Sequence, residues 1–118
     1  MKTETVNYQA ADIELKGYLA FPDEEKAPLV LIAHTWAGKD DFVHERAEDL
    51  AALGYVGFAV DMYGNGKVGS STEENQSLME PLLSDRDVLK DRITSALHFG
   101  KSLPGVDPNK VAAIGCLL

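Results

Sequence analysis

The segment Leu29-Val30-Leu31-Ile32-Ala33 constrains the fold more than any other part of this sequence, because it is apolar at every position. A strand with one face in water alternates apolar and polar residues, whereas a parallel strand covered by helices on both faces is apolar throughout. The run is also too short to span a bilayer, which takes about 20 apolar residues in a helix. The sequence therefore predicts a buried parallel strand here.

A helix and a second buried strand are predicted directly after this strand. Asp40 and Asp41 provide an acidic helix N-terminus, and Gly54 is suited to the C-terminal end. The apolar residues between these ends recur at helical spacing, namely Val43, Ala47, Leu50 and Ala51. Residues 55–60 are again apolar or small and end at Asp61, which completes a strand–helix–strand unit.

The second half of the chain adds helices and a last strand. Residues 62–75 are polar and rich in glycine, which predicts a loop. A short or kinked helix is expected around Pro81, and Ser84 with Asp87 forms a capping box for a second helix. The apolar positions on one face of that second helix are Leu89, Ile93 and Leu97. Residues 107–110 predict a turn, and residues 111–115 predict the final strand.

Alternating residues at the N-terminus predict an antiparallel hairpin formed by residues 3–8 and 13–21. The fold class is therefore α/β, with this hairpin followed by a mainly parallel sheet and flanking helices. A length of 118 residues fits a single domain over residues 1–118. The apolar fraction of 45% excludes a disordered chain.

The charge balance excludes two classes of partner. Eleven basic and nineteen acidic residues give a net charge of −8. Such a chain repels phosphate backbones and anionic lipid headgroups, so neither a nucleic acid nor a membrane surface is expected as a partner. The first residues lack the apolar segment of a secretory signal, and the single cysteine cannot form an internal disulfide. A cytoplasmic location is therefore expected.

Ligands of open parallel sheets bind beyond the carboxyl ends of the strands, so three segments are candidate parts of a site. They are His34-Thr35-Trp36-Ala37-Gly38, Asp61-Met62-Tyr63-Gly64 and Gly115-Cys116-Leu117-Leu118.

The stretch from Leu29 through Tyr63, together with Asp107 through Cys116, resembles the dienelactone hydrolases of the α/β-hydrolase fold. The similarity covers nearly all of this chain but only the N-terminal half of that fold, so the chain is expected to be a truncated α/β-hydrolase. The resemblance implies hydrolysis of a small-molecule carboxylic ester or lactone through a cysteine acyl-enzyme, with no metal or organic cofactor.

The family's nucleophile elbow has the pattern Gly-x-Cys-x-Gly, and this sequence departs from it. Gly115 is followed at once by Cys116, and Leu118 stands where a glycine would help the turn to close. Two interpretations stay open. Cys116 is either the nucleophile displaced by one position, or it occupies the intervening position and the nucleophile is lost. Neighbouring strand residues point to opposite faces, so the difference matters.

The resemblance also implies roles for three further residues. The backbone N–H groups of Trp36 and Leu117 are candidate oxyanion-hole donors beside the candidate nucleophile Cys116. Thr35 stands near the position of a glutamate that activates the cysteine, and a hydroxyl cannot replace that proton acceptor. Thr35 and Trp36 are the candidate substrate-binding residues. The acid and the histidine follow the nucleophile in this fold, and only two leucines follow Cys116, so little or no activity is expected.

Each candidate also has a purely structural interpretation. Cys116 at the end of a buried strand is equally well explained as an inert core residue. His34 is expected to bond a backbone group at its strand end, and Asp61 is expected to cap the loop that follows it. His44 and His98 are expected to face solvent.

Two other classes of function remain as alternatives. Gly64, Gly66 and Gly69 match the spacing G-x-G-x-x-G of a nucleotide-binding loop, although residues 61–63 separate them from the preceding strand. The other alternative is a non-catalytic fragment or assembly module. The strand 111–115 has an outer edge without cover in this chain, which predicts self-association, domain swapping or pairing with a complementary segment.

Overall fold

Five strands and three helices make up the structure, a computed structural model that describes residues 1–11 and 13–115. The strands are β1 (Lys2–Ala10), β2 (Ile13–Phe21), β3 (Ala27–Ala33), β4 (Val56–Ala59) and β5 (Val106–Gly115). The helices are α1 (Asp41–Ala52), α2 (Thr72–Ser84) and α3 (Arg86–Lys101).

The strands form one sheet in the order β1-β2-β4-β3-β5. β1 and β2 form an antiparallel hairpin, β2 is antiparallel to β4, and β3 is parallel to both β4 and β5. The predicted α/β fold, with its N-terminal hairpin and its parallel strands, is therefore confirmed.

The apolar run that predicted a buried strand lies in β3, between β4 and β5. On one face, Leu29 and Leu31 belong to the larger core cluster, against which Ile93 and Leu97 of α3 pack. On the other face, Ile32 packs with residues of α1 in a smaller cluster. Because helices cover both faces of β3, an apolar residue is favoured at every position of the run.

Helix α1 has the ends that the sequence predicts. The side chain of Asp40 caps the helix by accepting a hydrogen bond from the N–H of Phe42 at 3.2 Å. Gly54 follows the C-terminal end with a φ of +97°, a conformation that favours glycine. The helix also lies very close to β4, since a Cβ on Gly57 would overlap the carbonyl oxygen of Ala47.

The start of α2 and the cap of α3 differ from the predictions. The predicted loop over residues 62–75 ends early, because Ser71 caps α2 by accepting a hydrogen bond from the N–H of Glu74. The N-cap of α3 is Asp85 rather than Ser84, since the Asp85 carboxylate accepts a hydrogen bond from the N–H of Asp87. Leu89, predicted to face the core with Ile93 and Leu97, is instead 39% exposed.

Strand β5 is longer than predicted, because it absorbs the expected turn. The pairing of β3 with β5 shifts between Pro28 and Leu29, and this irregularity accommodates residues 108–110 within the strand. The side chain of Asp107 accepts a hydrogen bond from the N–H of Asn109, as an Asx turn does. β5 lies at one edge of the sheet, opposite β1, and residues 108–115 are exposed in the part of the chain that is described.

The free edge of β5 leads to a prediction about association. In a pure sample, only another copy of the same chain can pair with this edge. We therefore expect the apparent mass, measured by light scattering after size exclusion, to rise with protein concentration. Ile114→Lys should shift the chain toward monomer, because edge lysines oppose strand pairing. Leu53→Lys, an exposed leucine after α1, is the control and should leave association unchanged. A monomer of constant mass at every concentration would contradict the prediction.

None of the three helices within the described residues has the length and apolar character needed to span a membrane.

Candidate active site

The carboxyl ends of β3 and β4 lie side by side and continue into two loops, the β3 loop (residues 34–40) and the β4 loop (residues 60–70). The N–H of Val60 donates to the carbonyl oxygen of Ile32 at 3.1 Å, which joins the loops at their base. A cleft of about 230 Å³ lies above this edge of the sheet. Its lining residues are His34, Thr35, Trp36, Met62, Tyr63, Met79, Leu82, Leu83 and Leu89.

Asp61 organises the β4 loop from inside the protein. Its carboxylate is fully buried and accepts four backbone hydrogen bonds, two on each oxygen. The donors are the N–H groups of Tyr63 and Gly64 on Oδ1 and of Lys16 and Gly66 on Oδ2, at 2.8–3.1 Å. The prediction that Asp61 caps the following loop is therefore confirmed, and the carboxylate also fixes that loop to β2.

His34 has both ring nitrogens occupied by backbone groups. Nδ1 donates to the carbonyl oxygen of Thr35 at 2.7 Å, and Nε2 accepts from the N–H of Met62 at 3.0 Å. This pairing requires the neutral imidazole with its proton on Nδ1. Burial lowers the pKa of His34 and favours the same form. The structural interpretation of His34 is confirmed, since the residue links the two loops and neither nitrogen is free to act as a base.

Tyr63 makes a second link between the loops, and sequence reasoning did not single it out. Its hydroxyl donates to the carbonyl oxygen of Trp36 at 2.7 Å, and its ring lies 4.7 Å from the ring of His34. Burial raises the pKa of Tyr63, so the hydroxyl stays a donor at neutral pH. The only sequence signal was its place two residues after Asp61, at a strand end.

Among the consecutive backbone N–H groups of Trp36, Ala37 and Gly38, one has no acceptor in the described part of the chain. The N–H of Ala37 donates to the Thr35 hydroxyl at 3.4 Å, and that of Gly38 donates to the Thr35 carbonyl oxygen at 3.0 Å. The N–H of Trp36 has no acceptor within residues 1–11 and 13–115. Because Trp36 lines the cleft and its carbonyl is held by Tyr63, this free N–H is a candidate binding group for a negatively charged oxygen.

The glycine-rich part of the β4 loop does not have the geometry of a nucleotide site. The N–H groups of Gly64 and Gly66 donate to Asp61, and that of Gly69 donates to the carbonyl oxygen of Ala37 at 2.8 Å. A phosphate-binding loop must offer these groups to its ligand. The alternative of nucleotide binding through Gly64, Gly66 and Gly69 is therefore wrong, because all three N–H groups are used inside the protein.

The candidate nucleophile Cys116 and the candidate donor Leu117 lie outside the described residues. Gly115, which precedes them, pairs with Ala33 at the end of β3. The described chain therefore brings Gly115, Thr35 and Trp36 to the same edge of the sheet.

The prediction that the other two histidines face solvent holds for one of them only. His98 is exposed, as predicted. His44 is not solvent-facing but half-buried, because its ring stacks on Tyr18 at 4.2 Å and its Nε2 lies 2.9 Å from Nζ of Lys39.

Lowering the pH below about 6.5 is expected to destabilise the chain through His34. Because the pKa of His34 is lowered in the folded state, the unfolded chain binds more protons in the range just below the ordinary histidine value. The free energy of unfolding therefore falls as the pH decreases through this range, and the full contribution is present above it. Urea unfolding at about pH 7.5 and about pH 5.5 measures the fall. His34→Gln should reduce it, and an equal fall in both proteins would contradict the prediction.

Comparisons with known proteins agree with this architecture. The sequence model of the dienelactone hydrolase family matches residues 15–117. The solved structure named m3DLH is 31% identical with a TM-score of 0.91, and a dienelactone hydrolase-like promiscuous phosphotriesterase from metagenomic libraries is 29% identical with the same score. Both comparisons cover 97% of this chain and 48% of the other, so the chain spans about half the length of these structures.

A dienelactone hydrolase from Anabaena variabilis, 21% identical, has the same fold with a TM-score of 0.69 over 98% of this chain and 51% of its own. No curated protein sequence matches the chain significantly.

Proposed function

Because the chain belongs to the dienelactone hydrolase family, we propose that it provides the nucleophile and the oxyanion-binding groups of a site that hydrolyses a carboxylic ester or lactone. The observation that carries this proposal is the free N–H of Trp36 at the edge of the cleft. This N–H lies at the edge of the sheet where the carboxyl ends of the strands meet. β5 ends at the same edge with Gly115, the residue before Cys116.

In the proposed reaction the Cys116 thiolate attacks the carbonyl carbon of the ester. The carbonyl oxygen becomes negatively charged, and the N–H groups of Trp36 and Leu117 stabilise it. The carbon–oxygen bond to the alcohol then breaks, and the leaving oxygen keeps the electron pair and takes a proton from water. An acyl group stays on the sulfur until a second water hydrolyses it and restores the thiol.

This site does little to activate the thiol of Cys116. An unperturbed cysteine has a pKa of about 8.5, so at neutral pH most of it is protonated unless a base or a cation is near. Thr35 offers no carboxylate, and His34 has both nitrogens occupied. No residue of this sequence is assigned as the acid or the histidine of a triad. We therefore expect slow acylation and no measurable turnover in these 118 residues.

The lining of the cleft supports an uncharged substrate. Apolar side chains of the β4 loop, α2 and α3 face the strand ends, namely Met62, Met79, Leu82, Leu83 and Leu89. A volume of about 230 Å³ is small for a ligand pocket, which typically measures ~300–1,000 Å³. We infer that the site accepts esters with a short aliphatic acyl chain.

Acylation by p-nitrophenyl butyrate tests this proposal. We expect one butyryl group per chain on Cys116, located by peptide mass mapping, with a rate that saturates as the ester concentration increases. Leu83→Glu places a charge in the cleft and should raise the ester concentration at half-maximal rate about tenfold. This corresponds to a loss of about 1.4 kcal/mol in binding free energy. Leu53→Glu is the matched control, since Leu83 and Leu53 are 67% and 73% exposed and only Leu83 lines the cleft.

Two results would contradict the proposal. One is the absence of an acyl group from Cys116 under conditions that acylate the exposed lysines of the same chain. The other is a rate that rises linearly with ester concentration and equals the rate of the urea-unfolded chain. Either result would favour a non-catalytic fragment or assembly module.

A further inference from the structure

Lys39 in the β3 loop has an unusual partner for a lysine. Its Nζ lies 2.9 Å from Nε2 of His44, and the residue is half-buried. The ion pairs found within the described residues join Met1 to Asp23 and Arg46 to Asp49, so Lys39 is not paired with a carboxylate there. The amine of Lys39 is therefore held by a neutral base instead of an anion.

The position of His44 is fixed by the elements around it. The ring stacks on Tyr18 of β2 with a centroid distance of 4.2 Å and an interplanar angle of 13°. The hydroxyl of Tyr18 is itself held, because it donates to the Glu48 carboxylate at 2.7 Å. Nε2 of His44 consequently stays directed at Lys39, with the ring proton on Nδ1.

Burial, more than the surrounding charges, shifts Lys39 toward the uncharged amine. Burial lowers the pKa of Lys39, the carboxylate of Asp61 opposes this, and the cation of Lys16 adds to it. Asp61 provides no direct contact, since its two oxygens are occupied by four backbone N–H groups. Burial and the nearby Lys39 also lower the pKa of His44, which keeps the imidazole able to accept a proton.

We propose that Lys39, with His44 as its proton acceptor, is a site at which this chain takes an acyl group from small activated acyl donors, the acyl phosphates and thioesters. The free amine attacks the acyl carbon, so a C–N bond forms. The C–O bond to phosphate or the C–S bond to the thiolate breaks, and the leaving group keeps the electron pair. The extra proton on nitrogen passes to Nε2 of His44 and then to solvent, which leaves a neutral amide.

The product differs from the starting state in the contacts it can make. An acylated Lys39 can no longer become positively charged and has a single N–H, whereas the ammonium form of the side chain has three. Lys39 and Cys116 are different residues, so this proposal and the hydrolase proposal are tested separately.

Acetylation of the full chain at neutral pH tests this inference, with acetyl phosphate in one arm and S-ethyl thioacetate in the other. Peptide mass mapping gives the initial rate at each lysine. Exposed lysines of the same chain, Lys2, Lys26, Lys101 and Lys110, serve as internal references. We expect Lys39 to react about tenfold faster than these, because its lowered pKa leaves more of the amine uncharged at neutral pH.

Two variants test whether the rate at Lys39 depends on His44 as the proton acceptor or only on the exposure of the lysine to solvent. His44→Phe keeps a ring for stacking on Tyr18 but removes the proton acceptor, and it should bring the rate at Lys39 to the level of the reference lysines. Lys39→Arg should remove the modification and leave the reference rates unchanged. A rate at Lys39 equal to or below the references, or one that His44→Phe does not alter, would overturn the proposal. If the rate at Lys39 exceeds the reference rates with only one of the two acyl donors, that donor identifies the class of activated acyl group that the site uses.

Discussion

Replacing Asp61 by alanine is expected to lower the free energy of unfolding by about 4 kcal/mol or more. The carboxylate is fully buried and accepts four backbone hydrogen bonds, so its loss leaves four N–H groups without a partner. Each unsatisfied buried donor costs about 1–3 kcal/mol. Since domains are typically stable by about 5–15 kcal/mol, the variant should be marginally folded or unfolded.

Urea unfolding followed by the fluorescence of Trp36, the only tryptophan, measures this effect. Asp61→Asn should be intermediate, because one oxygen is kept while an NH₂ group faces N–H donors. Asp107→Ala is the matched control, since that carboxylate accepts one exposed N–H, from Asn109, and should cost about 1 kcal/mol or less. Equal losses for Asp61→Ala and Asp107→Ala would contradict the role assigned to Asp61.

Gly57→Ala in β4 should cost about 3 kcal/mol. The added Cβ would overlap the carbonyl oxygen of Ala47 and lie within 3 Å of two further backbone atoms of that residue. A backbone cannot rotate away as a side chain does, so α1 must move off the sheet and the core cluster around Ile32 must loosen.

Gly115→Ala in β5 is the matched control for this substitution. A Cβ there meets no atom of the described residues within 4 Å, so the change should alter the free energy of unfolding by about 0.5 kcal/mol or less. Urea midpoints of both variants give the comparison. If Gly57→Ala is no more costly than Gly115→Ala, the close approach of α1 to β4 is not present in the folded chain.

The part of the fold that depends on local patterns was predictable from the sequence. The apolar run at Leu29–Ala33 indicated a strand covered on both faces, and Asp40 with Gly54 indicated the ends of α1. The start of α2 was missed although Ser71 and Glu74 carry the signal of a capping box, because the glycine-rich residues before them favoured a longer loop.

The candidate site was predictable only in part, because its contacts join residues far apart in sequence. The strand-end rule located Thr35 and Trp36, and it suggested structural roles for His34 and Asp61. It could not show that Tyr63 holds the carbonyl of Trp36, a contact across 27 residues. Nor could the G-x-G-x-x-G spacing reveal that the N–H groups of Gly64 and Gly66 are directed at a carboxylate.

The stacking of His44 on Tyr18 was also beyond sequence reasoning, because it depends on how α1 is placed against β2. Spacing along a helix predicts which residues share a face, but not which aromatic ring of another element that face meets.

The central proposal, that the Cys116 thiol and the N–H of Trp36 belong to one site, is tested most directly by a nitroxide spin label on Cys116, the only cysteine. The label broadens the NMR signals of backbone amides that are close to it. We expect strong broadening for Thr35, Trp36 and Met62 at the strand-end edge, and sharp signals for Lys26 and Gly105 at the opposite end of β3 and β5. Sharp amides at Trp36 and Met62, with broadened amides at the opposite end, would contradict the proposal.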